Sequence, residues 1–303
     1  MTSTPVRSGE LQLPSGITLC YDDRGPEQGT PLLFIMGLSC QMVFWPESLL
    51  DDLAARGYRV IRFDNRDVGL SSRLRFPQQH SPLAAVARAT LGLRLKVGYT
   101  LHDMVDDTIG LLDGLGIERA HLIGVSMGGM IAQLTAGKFP QRVLSLTSIM
   151  SSNNSRWLPL PSLGALKLLL APKGNIRTRE DYIAYGFEFI STIGGTLPWS
   201  RALLEQTFGQ SWDRGLYPRG IQQQLFAIFA TGDLTPWLKR VQCPATVIHG
   251  SVDPLIRPAG GRASARHIRG AKLVIIPNMG HDLPDPVLPQ IADLIDETAR
   301  RAG

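Results

Sequence analysis

Residues 122–132 read LIGVSMGGMIA: an apolar run, one hydroxyl set among glycines, then apolar residues at helical spacing. A strand that turns sharply into a helix fits this stretch, with Ser126 at the joint. Either the turn presents a reactive serine or it is an ordinary connection that contains one. With glycine at 31 of 303 positions and serine near roughly 7%, about 0.2 accidental G-x-S-x-G matches are expected in such a chain. The motif alone decides nothing, so its surroundings have to.

On either side the chain alternates. Residues 10–24, ELQLPSGITLCYDDR, alternate around a Pro-Ser-Gly break and read as a β-hairpin. PLLFIMG from Pro31, YRVIRFD (58–64), RAHLIGV (119–125), VLSLTSIM (143–150), ATVIHG (245–250) and AKLVIIP (271–277) are short apolar runs, the mark of strands buried on both faces of one parallel sheet. Helical signals fall between them. Thr100 and Asp103 have capping-box spacing ahead of Leu101, Met104, Val105, Leu112 and Leu115. Near the end, Asp285 is placed to cap and Pro286 to open a helix striped by Leu288, Ile291, Leu294 and Ile295. This predicts an α/β fold: a mostly parallel sheet of about eight strands covered by helices. One interval breaks the rhythm. Residues 151–235 carry no convincing strand but many apolar and aromatic residues, and read as a helical cap inserted into a core made of 1–150 and 236–303.

Composition narrows the function. The chain is 44% hydrophobic and 19% charged, enough for one domain with a sizeable core. The first residues lack the apolar stretch of a secretory signal, and no run approaches the roughly 20 residues of a membrane span; the reading is of a soluble, cytoplasmic protein. Cys20, Cys40 and Cys243 are odd in number and scattered, which suggests neither disulfides nor a zinc site. The net charge is +5, with Arg62, Arg66, Arg73, Arg75, Arg88, Arg94 and Lys96 close together. No nucleic-acid-binding motif accompanies them, so they read as a solvated basic surface and no nucleic-acid partner is expected.

A serine hydroxyl needs a base. Of six histidines, His102 and His121 stand before or within regular elements, His80 and His267 lack a loop signal, and His249 lies inside an apolar strand as a core imidazole. His281, in NMGHDLP just beyond the last strand, sits where a loop at the carboxyl edge of the sheet would overhang the serine turn. Asp253, in HGSVDPL past the preceding strand, is the candidate to orient that imidazole. Asp282 is its local rival, poorly placed beside the histidine itself. The backbone N–H groups of Met127 and Leu38 are the candidate oxyanion donors.

On these residues the chain resembles the α/β-hydrolase superfamily. GVSMGGM, GSVDP and MGHD are similar to its nucleophile, acid and histidine loops, and RFDNRDVGLSS to its D-x-R-G-x-G-x-S loop. The order Ser126, Asp253, His281 is also that of the superfamily. MGL followed by FWP, with RDVGLS, resembles the branch of aclacinomycin methylesterase and related serine carboxylesterases. Most members carry His-Gly at the oxyanion loop, where this chain has Met36-Gly37. Asp64, Arg66 and Asp67 read as a hydrogen-bonded brace rather than a metal site.

The expected function is hydrolysis of a small to medium hydrophobic ester through an acyl-enzyme, with no cofactor or metal. Phe44, Trp45 and Trp157 are candidate pocket walls. Lactone hydrolysis, C–C bond hydrolysis and cofactor-free perhydrolysis on the same residues form a second reading, and a non-catalytic ligand-binding protein a third. The partner is then a small-molecule ester; the sequence leaves a homodimer open.

Overall fold

The computed structural model describes residues 6–77, 81–170 and 176–303. Strands β1 (Val6–Gln12) and β2 (Thr18–Arg24) form the expected hairpin. β3 (Pro31–Ile35), β4 (Arg59–Phe63), β5 (Ala120–Val125), β6 (Val143–Ile149), β7 (Ala245–Gly250) and β8 (Lys272–Ile276) complete one eight-stranded sheet in the order β1-β2-β4-β3-β5-β6-β7-β8. Six strands are parallel. The hairpin adds an antiparallel edge to β4, because a two-strand ribbon needs no crossover helix. The strand order reverses around β3, so the loops leaving β3 and β5 diverge there and open a crevice at the carboxyl edge.

Period-two alternation along the central strands supplies both faces of the core. Leu33 and Ile35 face one side with Leu122, packed by α3 (Leu101–Gly114) and α4 (Met127–Lys138). Leu32, Phe34 and Ile123 face the other, under α1 (Glu47–Ala55) and α11 (Leu288–Arg300). α3 begins with the Thr100/Asp103 capping box, a device that stabilises a helix end by about 1 kcal/mol. Asp285 does not cap α11. A 3₁₀ turn, Asp285–Val287, intervenes, and Val287 stands at the helix start without a side-chain cap; Asp285 is the first residue of that turn and so not the residue that precedes the helix, where a cap has to stand.

The basic stretch 62–96 is not one solvated surface. The β2–β4 register sets Asp22 opposite Arg62, and the two form a buried ion pair at 2.8 Å. Arg66 is likewise buried, on Asp107 of α3 at 2.6 Å. Leaving two guanidinium groups unpaired in the interior would cost several kcal/mol each, so these arginines belong with their carboxylates. The stretch also contains a helix, α2 (Pro82–Thr90), capped by the Ser81 hydroxyl.

Between β6 and β7 the regular elements among the described residues are all helices: α5 (Leu163–Leu170), α6 (Arg179–Ile193), α7 (Arg201–Asp213), α8 (Pro218–Thr231) and the short α9 (Thr235–Leu238). α6 and α7 share an aromatic cluster of Tyr182, Phe208 and Trp212. α8 packs on α2 through Phe226 and Ala85, joined by Leu95 from the loop after α2. α10 (Pro258–His267) returns to the sheet beside β7.

Candidate active site

Ser126 stands at the joint of β5 and α4 with φ 55° and ψ −119°, a conformation that costs a non-glycine residue on the order of 1–3 kcal/mol. The turn closes only because its neighbours lack side chains. A Cβ on Gly124 would lie 2.2 Å from the Gly128 carbonyl oxygen, and one on Gly128 would lie 2.0 Å from that of Ile35. The turn is pinned from β6: the Ser126 N–H donates to the Ile149 carbonyl at 2.9 Å, and the Ser151 hydroxyl donates to the Ser126 carbonyl at 2.7 Å.

The structure brings Ser126, His281 and Asp253 into one row. His281 Nε2 is 3.0 Å from Ser126 Oγ, and its Nδ1 is 2.8 Å from Asp253 Oδ2. Nδ1 faces a carboxylate, so it carries the proton and leaves Nε2 free to accept one from the hydroxyl. Asp253 is fully buried. Its Oδ1 accepts the N–H groups of Leu255 and Ile256, both at 2.9 Å. Burial opposes its charge, but the neighbouring imidazoles and their hydrogen bonds outweigh it and hold the carboxyl at about 2.

His249, read from sequence as a core imidazole, is buried as expected but also touches this carboxylate. Its Nε2 is 2.7 Å from the Ile256 carbonyl oxygen and 3.2 Å from Asp253 Oδ2, so it fixes the turn that carries the acid. His121 is buried in β5 against the Ser145 hydroxyl, and burial lowers it to about 4. His102 and His267 sit in α3 and α10, away from the row, and His80 lies outside the described residues.

The loop after β3 closes the site from the other side. Gly37 comes so near that an added Cβ would lie 3.1 Å from Ser126 Cβ and 3.6 Å from its Oγ. The following peptide, with the Leu38 N–H, is thereby set beside the serine, while Met127 opens α4 and has no intrahelical partner for its own N–H. This loop is braced twice. Asn65 Nδ2 donates to the Met36 carbonyl at 3.0 Å, and buried Gln224 of α8 accepts the Ser39 N–H at 3.0 Å while donating to the Arg66 carbonyl. The brace from α8 has no local sequence signal, since it spans 185 residues.

In RFDNRDVGLSS both carboxylates are occupied. Asp64 accepts the N–H groups of Met42 at 2.7 Å and Leu70 at 3.0 Å and pairs with Arg214. Asp67 accepts from Leu74 N–H at 2.6 Å and Gln223 Nε2 at 2.8 Å.

Above Ser126 lies a cavity of about 890 Å³, floored by Met36, Leu38 and His281 and walled by residues such as Phe44, Tyr185 and Leu225. Phe44 lines this cavity, edge-on to Phe208 of α7. Trp45 does not. The short 3₁₀ turn Met42–Phe44 sends the two neighbouring rings opposite ways, and Trp45 is fully buried on Phe34 beneath the sheet face. Trp157 stands at the cavity's rim and is 82% exposed, so it is an edge and not a wall.

Asp282 has a role that no sequence motif signals. Set aside as a triad acid, it is a buried link between the histidine loop and the helices above. Its carboxylate accepts Trp199 Nε1 at 2.8 Å, Gly280 N–H at 2.9 Å and Gly195 N–H at 3.3 Å. Burial raises it above the usual carboxylate range in spite of these donors. Two backbone bonds reinforce the link, His281 N–H to Ile193 carbonyl at 2.7 Å and Thr196 N–H to Asn278 carbonyl at 2.9 Å.

This fold and the serine turn define the class. Residues 30–285 match the family model described as alpha/beta hydrolase fold, and the chain belongs to that family. Rhodomycin D methylesterase DauP of Streptomyces sp. (strain C5) is 27% identical over 310 residues, covering 94% of this chain and 96% of the relative. The bifunctional esterase/perhydrolase DCH of Acinetobacter calcoaceticus is 22% identical, covering 91% and 94%. Among solved structures, the enol-lactonase from Burkholderia xenovorans LB400 superposes with a TM-score of 0.71 at 20% identity, covering 96% of this chain and all of that one. The chain is thus a hydrolase-family protein related to esterases.

Proposed function

We propose that the protein is a cofactor-free serine carboxylic ester hydrolase, with Ser126 as nucleophile, His281 as general base and acid, and Asp253 as the group that orients it. The observation that carries this reading is the hydrogen-bonded row Asp253–His281–Ser126 at the floor of an apolar cavity. Ser126 Oγ attacks the ester carbonyl as His281 Nε2 takes its proton. The N–H groups of Leu38 and Met127 receive the oxyanion. His281 then returns the proton to the leaving alcohol, and a water deprotonated by the same imidazole releases the acid from the acyl-enzyme.

The helices of 151–235 act in this reading as a cap that walls the acyl or alcohol pocket. A cavity of about 890 Å³ stands near the upper end of the roughly 300–1,000 Å³ typical of small-molecule sites, which supports a bulkier hydrophobic ester than the aromatic content alone suggested. The methylesterase relatives support an ester over a peptide or sugar substrate. The esterase/perhydrolase relative keeps the second reading in play, since lactone, C–C and peracid chemistry can use the same row.

A series of p-nitrophenyl esters from acetate to dodecanoate, run beside a panel of lactones and a peracid assay, tests the assignment. Ester turnover with an optimum beyond acetate is expected. Lactone or peracid turnover more than tenfold faster would move the reaction to the second reading, and no turnover on a folded protein would leave the ligand-binding reading.

A further inference from the structure

Two segments far apart in sequence meet at the mouth of the cavity. Residues 81–98 comprise α2 and the loop after it, and residues 155–170 comprise α5 and the loop before it. A Cβ on Gly92 would lie 2.3 Å from Arg156 Nη1, and Leu93, Trp157 and Leu160 line one shared opening.

Their surfaces are unlike the rest of the molecule. Six of the ten strongly exposed large hydrophobics among the described residues fall here: Leu83 (72%), Leu91 (67%), Leu93 (49%), Trp157, Leu160 (67%) and Leu163 (78%). Along α2 and the Leu91 that ends it, positions 83, 87 and 91 recur every four residues on the exposed face, while Ala85 packs inward on α8. A monomer in water gains nothing from presenting such a face. The same two segments hold Arg88, Arg94, Lys96, Arg156 and Lys167 and not one aspartate or glutamate. Arg88 donates to the Arg94 carbonyl, and Arg156 lies over the Trp157 ring 4.7 Å from its centre, so neither charge is met there by a carboxylate. Of the acids lining the cavity, Asp282 is buried among its donors, and Asp233 is exposed and accepts the Thr235 N–H.

We propose that this rim docks on an anionic phospholipid surface, with the mouth of the cavity facing the lipid. Exposed leucines and a tryptophan enter the interface while arginine and lysine side chains reach the headgroup phosphates, the arrangement of peripheral and not spanning attachment. The docking stands on the surface alone. Its consequence, that the ester is an amphiphile drawn from the lipid phase, rests on the esterase reading.

Vesicle co-sedimentation separates the two. The intact protein is mixed with phosphatidylcholine vesicles with or without roughly one-third phosphatidylglycerol, at low and high salt. The expected result is at least tenfold tighter binding to the anionic vesicles, weakened by salt. Leu83→Asp with Leu91→Asp, and separately Arg88→Glu with Lys167→Glu, reduce it about tenfold while hydrolysis of a soluble short-chain ester is kept. Absence of binding to any vesicle, binding indifferent to lipid charge, or a concentration-dependent dimer dispersed by the same substitutions overturns the proposal. Vesicle binding without ester turnover by the unsubstituted protein would instead overturn the esterase reading and leave the docking in place.

Discussion

The floor and the roof of the cavity are built by different rules. Ser126, Asp253 and His281 each stand just past the end of a sheet strand, so the rigid register of β5, β7 and β8 carries them into hydrogen-bonding distance. The roof, drawn from 81–98 and the helices between β6 and β7, is held by long-range contacts: Phe226 on Ala85, Gln224 on Ser39, Trp199 on Asp282. Chemistry is thus written locally, and shape is written between distant segments.

Four experiments test that division. Ser126→Ala removes the only nucleophile proposed for the floor and is expected to lower kcat on the order of 10⁶-fold with the fold kept. A residual rate within about tenfold of the parent, in purified protein, would mean that another group does the chemistry. Asp253→Asn comes next. An amide at that position favours the wrong histidine tautomer, and kcat is expected to fall about 10⁴-fold; near-full activity would transfer the role of acid to another carboxylate.

Roof effects are expected to be smaller and coupled. Trp199→Phe and Asp282→Asn each remove part of the link that ties the α6–α7 connection to the histidine loop, and each is expected to reduce kcat about tenfold, on the scale of one hydrogen bond to a charged group. The double variant should be little worse than either single one. Full additivity would separate the roof from the histidine loop.

The smallest effect concerns acid stability. The folded Asp253 carboxyl is depressed to about 2, so its contribution is present above the unfolded value near 3.9 and is lost as pH falls from about 4 to about 2. It amounts to about 2 kcal/mol. Urea midpoints of Asp253→Asn and the parent should therefore converge across that window, and a gap that stays constant would contradict the depressed value.

The same division explains what could be read in advance. Strands announced themselves as apolar runs because the sheet is covered on both faces, and the three loop residues followed from strand ends and chain order. The hairpin and the α3 capping box were local and were legible. The place of Trp45 is not legible in sequence, because composition does not tell which of two adjacent rings a 3₁₀ turn sends inward. Arg62 and Arg66 read as surface charge because their partners Asp22 and Asp107 lie 40 and 41 residues away. Asp285 has the residue type of a cap, but the 3₁₀ turn sets the helix start past it, which no local pattern signals. The linking role of Asp282 has no local signal, since its partner Trp199 lies 83 residues off.

The central claim is that Ser126 is an activated nucleophile, and intact mass after exposure to a fluorophosphonate tests it most directly. One adduct per chain is predicted, absent from Ser126→Ala and strongly slowed in His281→Ala. An unmodified mass for the folded parent protein, or an adduct that survives in Ser126→Ala, would contradict it.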